Sequence, residues 1–212
     1  MGHLENTFDY IRKLPKKLFN RYRYLITLKD LDAISDTAFK SEIPLQTRLL
    51  EQEDIEAYIG LKNSNSLVAV LYRLSQGHIC WCAFHDDKMV AYVWRGVDKV
   101  YVSGLKTTIT LPRGFYYAYE AYTVPEYRGN GVFKELLTSW NKYAKDHYGN
   151  KKSVAIVDPH NEPAVRGALA TGQEIIGTIE TTIFLGVPFH RVEGNVGKED
   201  LINRIFIQKT GD

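Results

Sequence analysis

The chain has 212 residues, 44% hydrophobic and 25% charged, which suits one domain with a core of ordinary size. A formal net charge of +2 gives no global argument for nucleic acid, and no low-complexity tract is present. No apolar run approaches the roughly 18 residues of a membrane-spanning helix, and no signal peptide opens the sequence. Cys80 and Cys82 are the only cysteines. Two apart on a strand, they share a face, lie too close along the backbone for an easy disulfide, and lack the second pair a zinc site needs. The expectation is two buried, reduced thiols, no metal and a cytoplasmic location.

Residues 1–21 read as a basic, helical segment in which Arg12, Lys13, Lys16, Lys17 and Arg21 interleave with Phe8, Ile11, Leu14 and Leu18. Such a segment is a membrane-surface helix or a solvated face, and Pro15 breaks the pattern a bilayer would require. Residues 22–212 read as a single domain. "YRYLITL" (22–28) predicts a first strand, and 29–42 a helix capped by Asp30 or Asp32. Residues 44–63 read as one or two further helices. Residues 66–77 are open between helix and strand, with Leu67, Val70, Leu71 and Leu74 favouring helix.

From His78 the pattern changes. Residues 78–97 predict a hairpin turning at Asp86–Asp87, and 98–114 are less defined. "FYYAYEAYTV" (115–124) is dense in aromatic and β-branched types, as strands are. Val132, Phe133, Leu136, Leu137 and Trp140 then form the stripe of an amphipathic helix reaching about Asp146. A short strand at 153–159 follows, and then a helix at 161–172 with Asn161 as cap, Pro163 in its first turn and Gly172 at its end. Strands at 174–187 and 204–209 complete an α+β order.

"PEYRGNGVFKELL" (125–137) sits where the aromatic strand hands over to that amphipathic helix. The amides at a helix start have no intrahelical partner, and the helix dipole adds partial positive charge. An anion, phosphate above all, suits the spot. Gly129 and Gly131 let the backbone come close and take positive φ.

This loop resembles the pyrophosphate loop of the GNAT superfamily of acyl-CoA-dependent N-acyltransferases. "NEPAVRGALATGQEIIG" (161–177) resembles the same superfamily's Asn-capped helix, and the element order matches over most of residues 22–187. The resemblance implies a mixed, mostly antiparallel central sheet flanked by helices. It implies acetyl-CoA or another acyl-CoA as co-substrate, and a small-molecule or protein amine as acceptor. Backbone groups of Tyr122, Thr123 and Val124 would meet the pantetheine arm, with a backbone N–H near Val124 polarising the thioester carbonyl. The amides of Arg128, Gly129, Asn130, Gly131, Val132 and Phe133 would wrap the pyrophosphate. Asn161 would lie near the thioester.

Three departures stand out. Glu126 replaces the usual Gln or Arg, Phe133 replaces a small residue, and Ala168 stands where a tyrosine often protonates the leaving thiolate. Glu120, four residues before Val124 and so on the same strand face, is the candidate general base. His85, His147, His160 and His190 are scattered and carry no assigned role. The expected function is acyl transfer to an amine. The alternatives are a GNAT-shaped module that binds CoA for a regulatory or structural role, and an unrelated phosphate binder. No nucleic acid or stable membrane insertion is expected; a homodimer is compatible.

Overall fold

The computed structural model describes residues 19–33, 39–149, 151–195 and 197–206. In chain order the strands are β1 (Phe19–Asp30), β2 (Gln46–Leu49), β3 (Ile79–His85), β4 (Lys88–Gly96), β5 (Lys99–Val102), β6 (Thr107–Thr110), β7 (Phe115–Thr123), β8 (Lys152–Val157), β9 (Glu174–Phe184) and β10 (Val187–Gly194). The helices are α1 (Ile55–Gly60), α2 (Leu67–Ser75), α3 (Val132–Tyr148), α4 (Glu162–Ala170) and α5 (Glu199–Phe206). Eight strands form one sheet in the order β10-β9-β1-β8-β7-β4-β3-β2, and β5 and β6 form a separate hairpin. Only β7 and β8 run parallel among these pairs. The fold is the expected α+β arrangement of a mostly antiparallel sheet flanked by helices.

The near-continuous apolar runs of β3 and β4 follow from cover on both faces. Cys80, Cys82, Tyr92 and Trp94 pack against Tyr58 of α1 and Val70 of α2. Trp81, Ala83 and Val93 pack against Leu136 and Trp140 of α3. The two cysteine sulfurs are 3.8 Å apart, within hydrogen-bonding reach, buried and not joined in a disulfide. Their hairpin turns at Asp86 and Asp87, whose φ values of 47° and 60° suit a two-residue turn. A third cluster joins Ile26, Ile176 and Ile179 of the sheet to Val100 and Ile109 of the small hairpin and to Ile202, Ile205 and Phe206 of α5. Residues 66–77 resolve as helix α2, whose start is fixed by Ser66 accepting the Ala69 N–H at 3.2 Å.

Four expectations change. β1 begins at Phe19, so it takes in the end of the basic segment, while residues 1–18 lie outside the described residues. Residues 29–42 are not a helix where described. Residues 29–30 finish β1, Asp30 closes a local turn onto the Asp32 N–H at 3.0 Å, and 39–42 are irregular; 34–38 lie outside the described residues. Within 44–63, the edge of β3 captures residues 46–49 as β2, and only 55–60 are α-helical. Residues 204–206 belong to α5, because Ile202, Ile205 and Phe206 bury at helical spacing; residues 207–209 lie outside the described residues. No helix among the described residues is long and apolar enough to cross a membrane.

One pairing matters for the site. β7 and β8 are bonded only between Phe115–Tyr117 and Lys152–Val154. Beyond them β7 stays with β4 as far as Thr123. The parallel strands therefore splay, and α3 and α4, which follow them, bring their N-termini to the opening.

Candidate active site

The glycine loop is built as a helix start without a side-chain cap. Gly131 is the N-cap of α3 with φ 76°, and no side chain bonds the first-turn amides. Gly129 has φ 88°. At Gly131 a side chain is excluded twice, since a Cβ would also lie 2.8 Å from the Phe39 ring. Residues 39–42 brace the loop from behind. The Glu42 N–H donates to the Asn130 carbonyl at 2.9 Å, and the Ser41 N–H donates to the buried Glu135 carboxylate at 2.7 Å. Lys40 reaches the same carboxylate at 3.1 Å, and the Lys134 ammonium lies 4.0 Å from the centre of the Phe39 ring.

Above the loop runs a groove of about 570 Å³. Tyr122, Thr123, Arg128, Gly129, Gly131, Val132, Phe133 and Asn161 all line it. Asn130 and Val124 are not among its lining residues. The Asn130 carbonyl is spent on Glu42, which turns that peptide towards the brace. Val124 donates to Val90 at 2.9 Å and accepts from Tyr127 at 3.0 Å. The N–H of Val124 itself therefore cannot polarise a thioester, because it faces β4 and is already bonded. Arg128 folds back over β7, with Nε 2.9 Å from the Thr123 carbonyl and its guanidinium over the Tyr122 ring. Lys134 also lines the groove, and sequence reasoning missed it. The signal was present: a cation in the first turn of the helix that the loop begins.

Phe133 is the wall between this groove and a second cavity, lining both. Its ring packs onto α4 where Gly167 has no side chain, a Cβ there meeting the ring at 3.0 Å. The bulky residue is thus accommodated by a matching glycine.

The second cavity, about 300 Å³, fills the splay and is lined by Glu120, Ala168 and Asn161 among others. Glu120 has φ 47°, which is costly for a residue with a Cβ. Opposite it the register shifts: Tyr92 faces Tyr122, but Trp94 faces Tyr119. Three steps on β7 thus oppose two on β4, a bulge. The simple alternation linking Glu120 to Val124 does not survive this bulge. Glu120 forms an ion pair with Arg73 of α2, and that guanidinium sits 5.0 Å from the Trp94 ring centre and 5.6 Å from that of Tyr119. Tyr119 Oη lies 2.5 Å from His78 Nδ1. Burial pushes the Tyr119 phenol up and the His78 imidazole down. Tyr119 is the one hydroxyl-bearing side chain among the residues lining this cavity, and Ala168 is buried there without one. Asn161 caps α4, its Oδ1 accepting the Ala164 N–H at 3.2 Å, and it lines both cavities.

The sequence matches the acetyltransferase (GNAT) family over residues 43–173, from just before β2 to just after α4. The chain belongs to this family. No curated protein sequence matches it. Among solved structures, a tandem GNAT protein from the clavulanic acid biosynthesis pathway superposes with a TM-score of 0.58 at 15% identity, covering 79% of this chain and 55% of that one. A functionally unknown conserved protein from Staphylococcus epidermidis gives 0.55 at 12% identity, covering 91% of this chain and 68% of that one. An aminoglycoside N-acetyltransferase solved with CoA gives 0.49 at 18% identity, covering 61% and 91%. At such identities the likeness is one of fold.

As a GNAT chain, the protein has a site made of two joined compartments. One offers backbone amides, two glycines and a lysine, a chemistry for phosphates. The other offers a carboxylate and a narrow, mostly apolar space at the splay.

Proposed function

We propose that the protein transfers an acyl group, acetyl in the simplest case, from acyl-CoA to an amine of a small molecule or a protein. The observation that carries this reading is the convergence on one groove of the uncapped first turn of α3, two left-handed glycines and Lys134. The amides of Gly129, Gly131, Val132 and Phe133 bind the pyrophosphate, and Lys134 adds charge. Past Tyr117 the β7 edge has no β8 partner, so an extended pantetheine arm is able to lie along it as an added strand does. That arm leads past Phe133 and Asn161 to the second cavity.

At that junction the neutral amine attacks the thioester carbonyl, the C–N bond forms, and the C–S bond then breaks. The proton that the nitrogen gives up on becoming an amide passes through water to solvent or to the departing thiolate. Glu120 attracts the incoming ammonium and takes up its proton through water, the role of a general base. The ion pair with Arg73 holds this carboxylate in place, so it serves as a relay to solvent. No residue at 168 protonates sulfur. A thiol with a pKa of roughly 8.5 leaves tolerably as the thiolate.

Two features favour a second reading, a module that binds CoA without chemistry: Ala168 in place of a hydroxyl, and a carboxylate already paired with Arg73. Titration calorimetry with CoA and acetyl-CoA, followed by thiol release across a panel of amines, separates the two. Binding with amine-dependent thiol release is expected. Binding without release from any amine supports the module, and no binding at millimolar concentration sinks both.

A further inference from the structure

Arg95 lies near the end of β4, opposite Ile79 on β3 and Ala118 on β7. It is 1% exposed, yet among the described residues no carboxylate acts on it. Its Nε has no hydrogen-bond partner there, and Nη1 reaches only the Trp94 carbonyl, at 3.4 Å. The guanidinium rests instead on aromatic faces, 5.1 Å from the centre of the Tyr116 ring and 5.7 Å from that of Trp140. Burial pushes its pKa down to about 10, so it is still a cation at neutral pH. A buried charge is costly unless it is paired and hydrogen-bonded. Ring faces repay part of that cost and leave Nε without a partner.

The residue lines the second cavity. Arg95 lines its buried side with Val93, Leu137 and Ala155, while Glu120, Asp158 and Asn161 line the less buried side. The two acids are otherwise engaged: Glu120 with Arg73, and Asp158 with the His160 N–H at 2.9 Å. The cavity joins the groove along Ala121, Phe133 and Asn161, where a thioester would arrive.

We infer that this cavity binds a carboxylate carried by a substrate, with Arg95 as the group that recognises it, and that the carboxylate ends a short acyl chain. The inference rests on the proposed binding of acyl-CoA. A carboxylate is the anion whose two oxygens match the planar guanidinium fork. An acetyl group fills little of the space and leaves Arg95 unpaired. A four-carbon chain ending in a carboxylate occupies more of the space and carries the partner that the guanidinium lacks. The same chemistry arises if the acceptor is an amino acid that enters by its carboxylate end.

Calorimetry on the full chain with free CoA, acetyl-CoA, butyryl-CoA and succinyl-CoA tests this. Butyryl and succinyl chains have equal length and differ in the terminal carboxylate. Succinyl-CoA is expected to bind at least about tenfold more tightly than butyryl-CoA. In Arg95→Met, which keeps a long side chain without the charge, that ratio falls to near one. A second arm measures, with acetyl-CoA bound, an α-amino acid against its decarboxylated amine. A preference for the amino acid that Arg95→Met abolishes supports the same site with the acceptor as carrier. If free CoA binds but neither comparison discriminates, Arg95 is a structural cation and the inference is overturned alone. If no CoA compound binds, the acyl-CoA reading falls and takes this one with it. Should Arg95→Met fail to fold, the wild-type comparisons still decide.

Discussion

The groove over α3 and the cavity in the splay share Phe133 as a wall, yet they are made in different ways. The groove is local. One side of it comes from the glycine loop and the first turn of α3, close together in the chain, and its geometry follows from conformations only glycine takes easily. The cavity is assembled at long range. Its Glu120 is held by Arg73, 47 residues away, and its Arg95 comes from a strand far from both the loop and α4. A site for a shared co-substrate can be written in one motif, whereas a site for chemistry and selectivity depends on register, a bulge and cross-strand pairing.

The sharpest way to break this comparison is to remove the Glu120 carboxylate from the cavity. Glu120→Gln keeps the size and hydrogen bonding of the side chain and removes the charge. Turnover at neutral pH should fall roughly 100-fold or more, with acyl-CoA affinity nearly unchanged. Raising the pH should recover part of the loss, since more of the amine is then neutral. Coincident pH–rate profiles for wild type and variant would make Glu120 a strained strand residue that serves only its ion pair with Arg73.

The opposite perturbation strikes the groove. Gly131→Asp adds a negative charge at the helix start beside the groove, while it forces a positive φ on a residue with a Cβ and pushes that Cβ against Phe39. Gly131→Ala carries the same strain without the charge, so the pair separates the two effects. Both variants should lose stability, by about 1–2 kcal/mol from the backbone alone. The aspartate should lose a further factor of roughly ten in CoA affinity, or about 1.4 kcal/mol. Equal CoA affinity in the two variants would show that phosphates do not pass Gly131.

What was legible in the sequence tracks the same divide. The loop, the cap at Asn161 and the hairpin at Asp86–Asp87 were readable because each is specified by neighbours within a few residues. The bulge was not, because the positive φ of Glu120 is imposed by the register against β4, and nothing in "AYEAY" announces it. Residues 29–42 looked helical because their polar side chains suit caps. Instead Lys40 and Ser41 bind Glu135, more than 90 positions on, to brace the loop. Arg95 passed unnoticed inside an apolar strand because a single cation there tells nothing about what faces it.

A smaller effect refines the groove. Lys134 is the one residue lining it that carries a charge without a described carboxylate partner, apart from the turned-back Arg128. Lys134→Ala should weaken CoA binding by roughly 3–10-fold, about 1 kcal/mol, and leave thermal stability almost unchanged. The wild-type affinity should also fall with added salt more steeply than that of the variant, because one screened charge has been removed. Parallel salt dependences would leave phosphate binding to the amides alone.

The smallest expected effect lies behind the cavity, at His78. Its Nδ1 meets the Tyr119 hydroxyl, and burial first, then the nearby Arg73, lowers its pKa below the usual 6.5. The sign follows from proton counting. Above about pH 6.5 the ring is neutral in both folded and unfolded chains, and its contribution is at its full value. As the pH falls from there towards the folded-state pKa, the unfolded chain binds the proton first, and stability is lost. His190, also lowered by burial, adds a loss of the same sign. Thermal denaturation between about pH 7.5 and pH 5.5 should therefore show a falling midpoint in the wild type, and a shallower fall in His78→Gln. The residual slope belongs to His190 and the carboxylates. If His78→Gln is as pH-sensitive as the wild type, His78 gains its proton as easily folded as unfolded. The support of Tyr119 from behind would then be open to water, and the cavity would be lined by a looser strand than the one described.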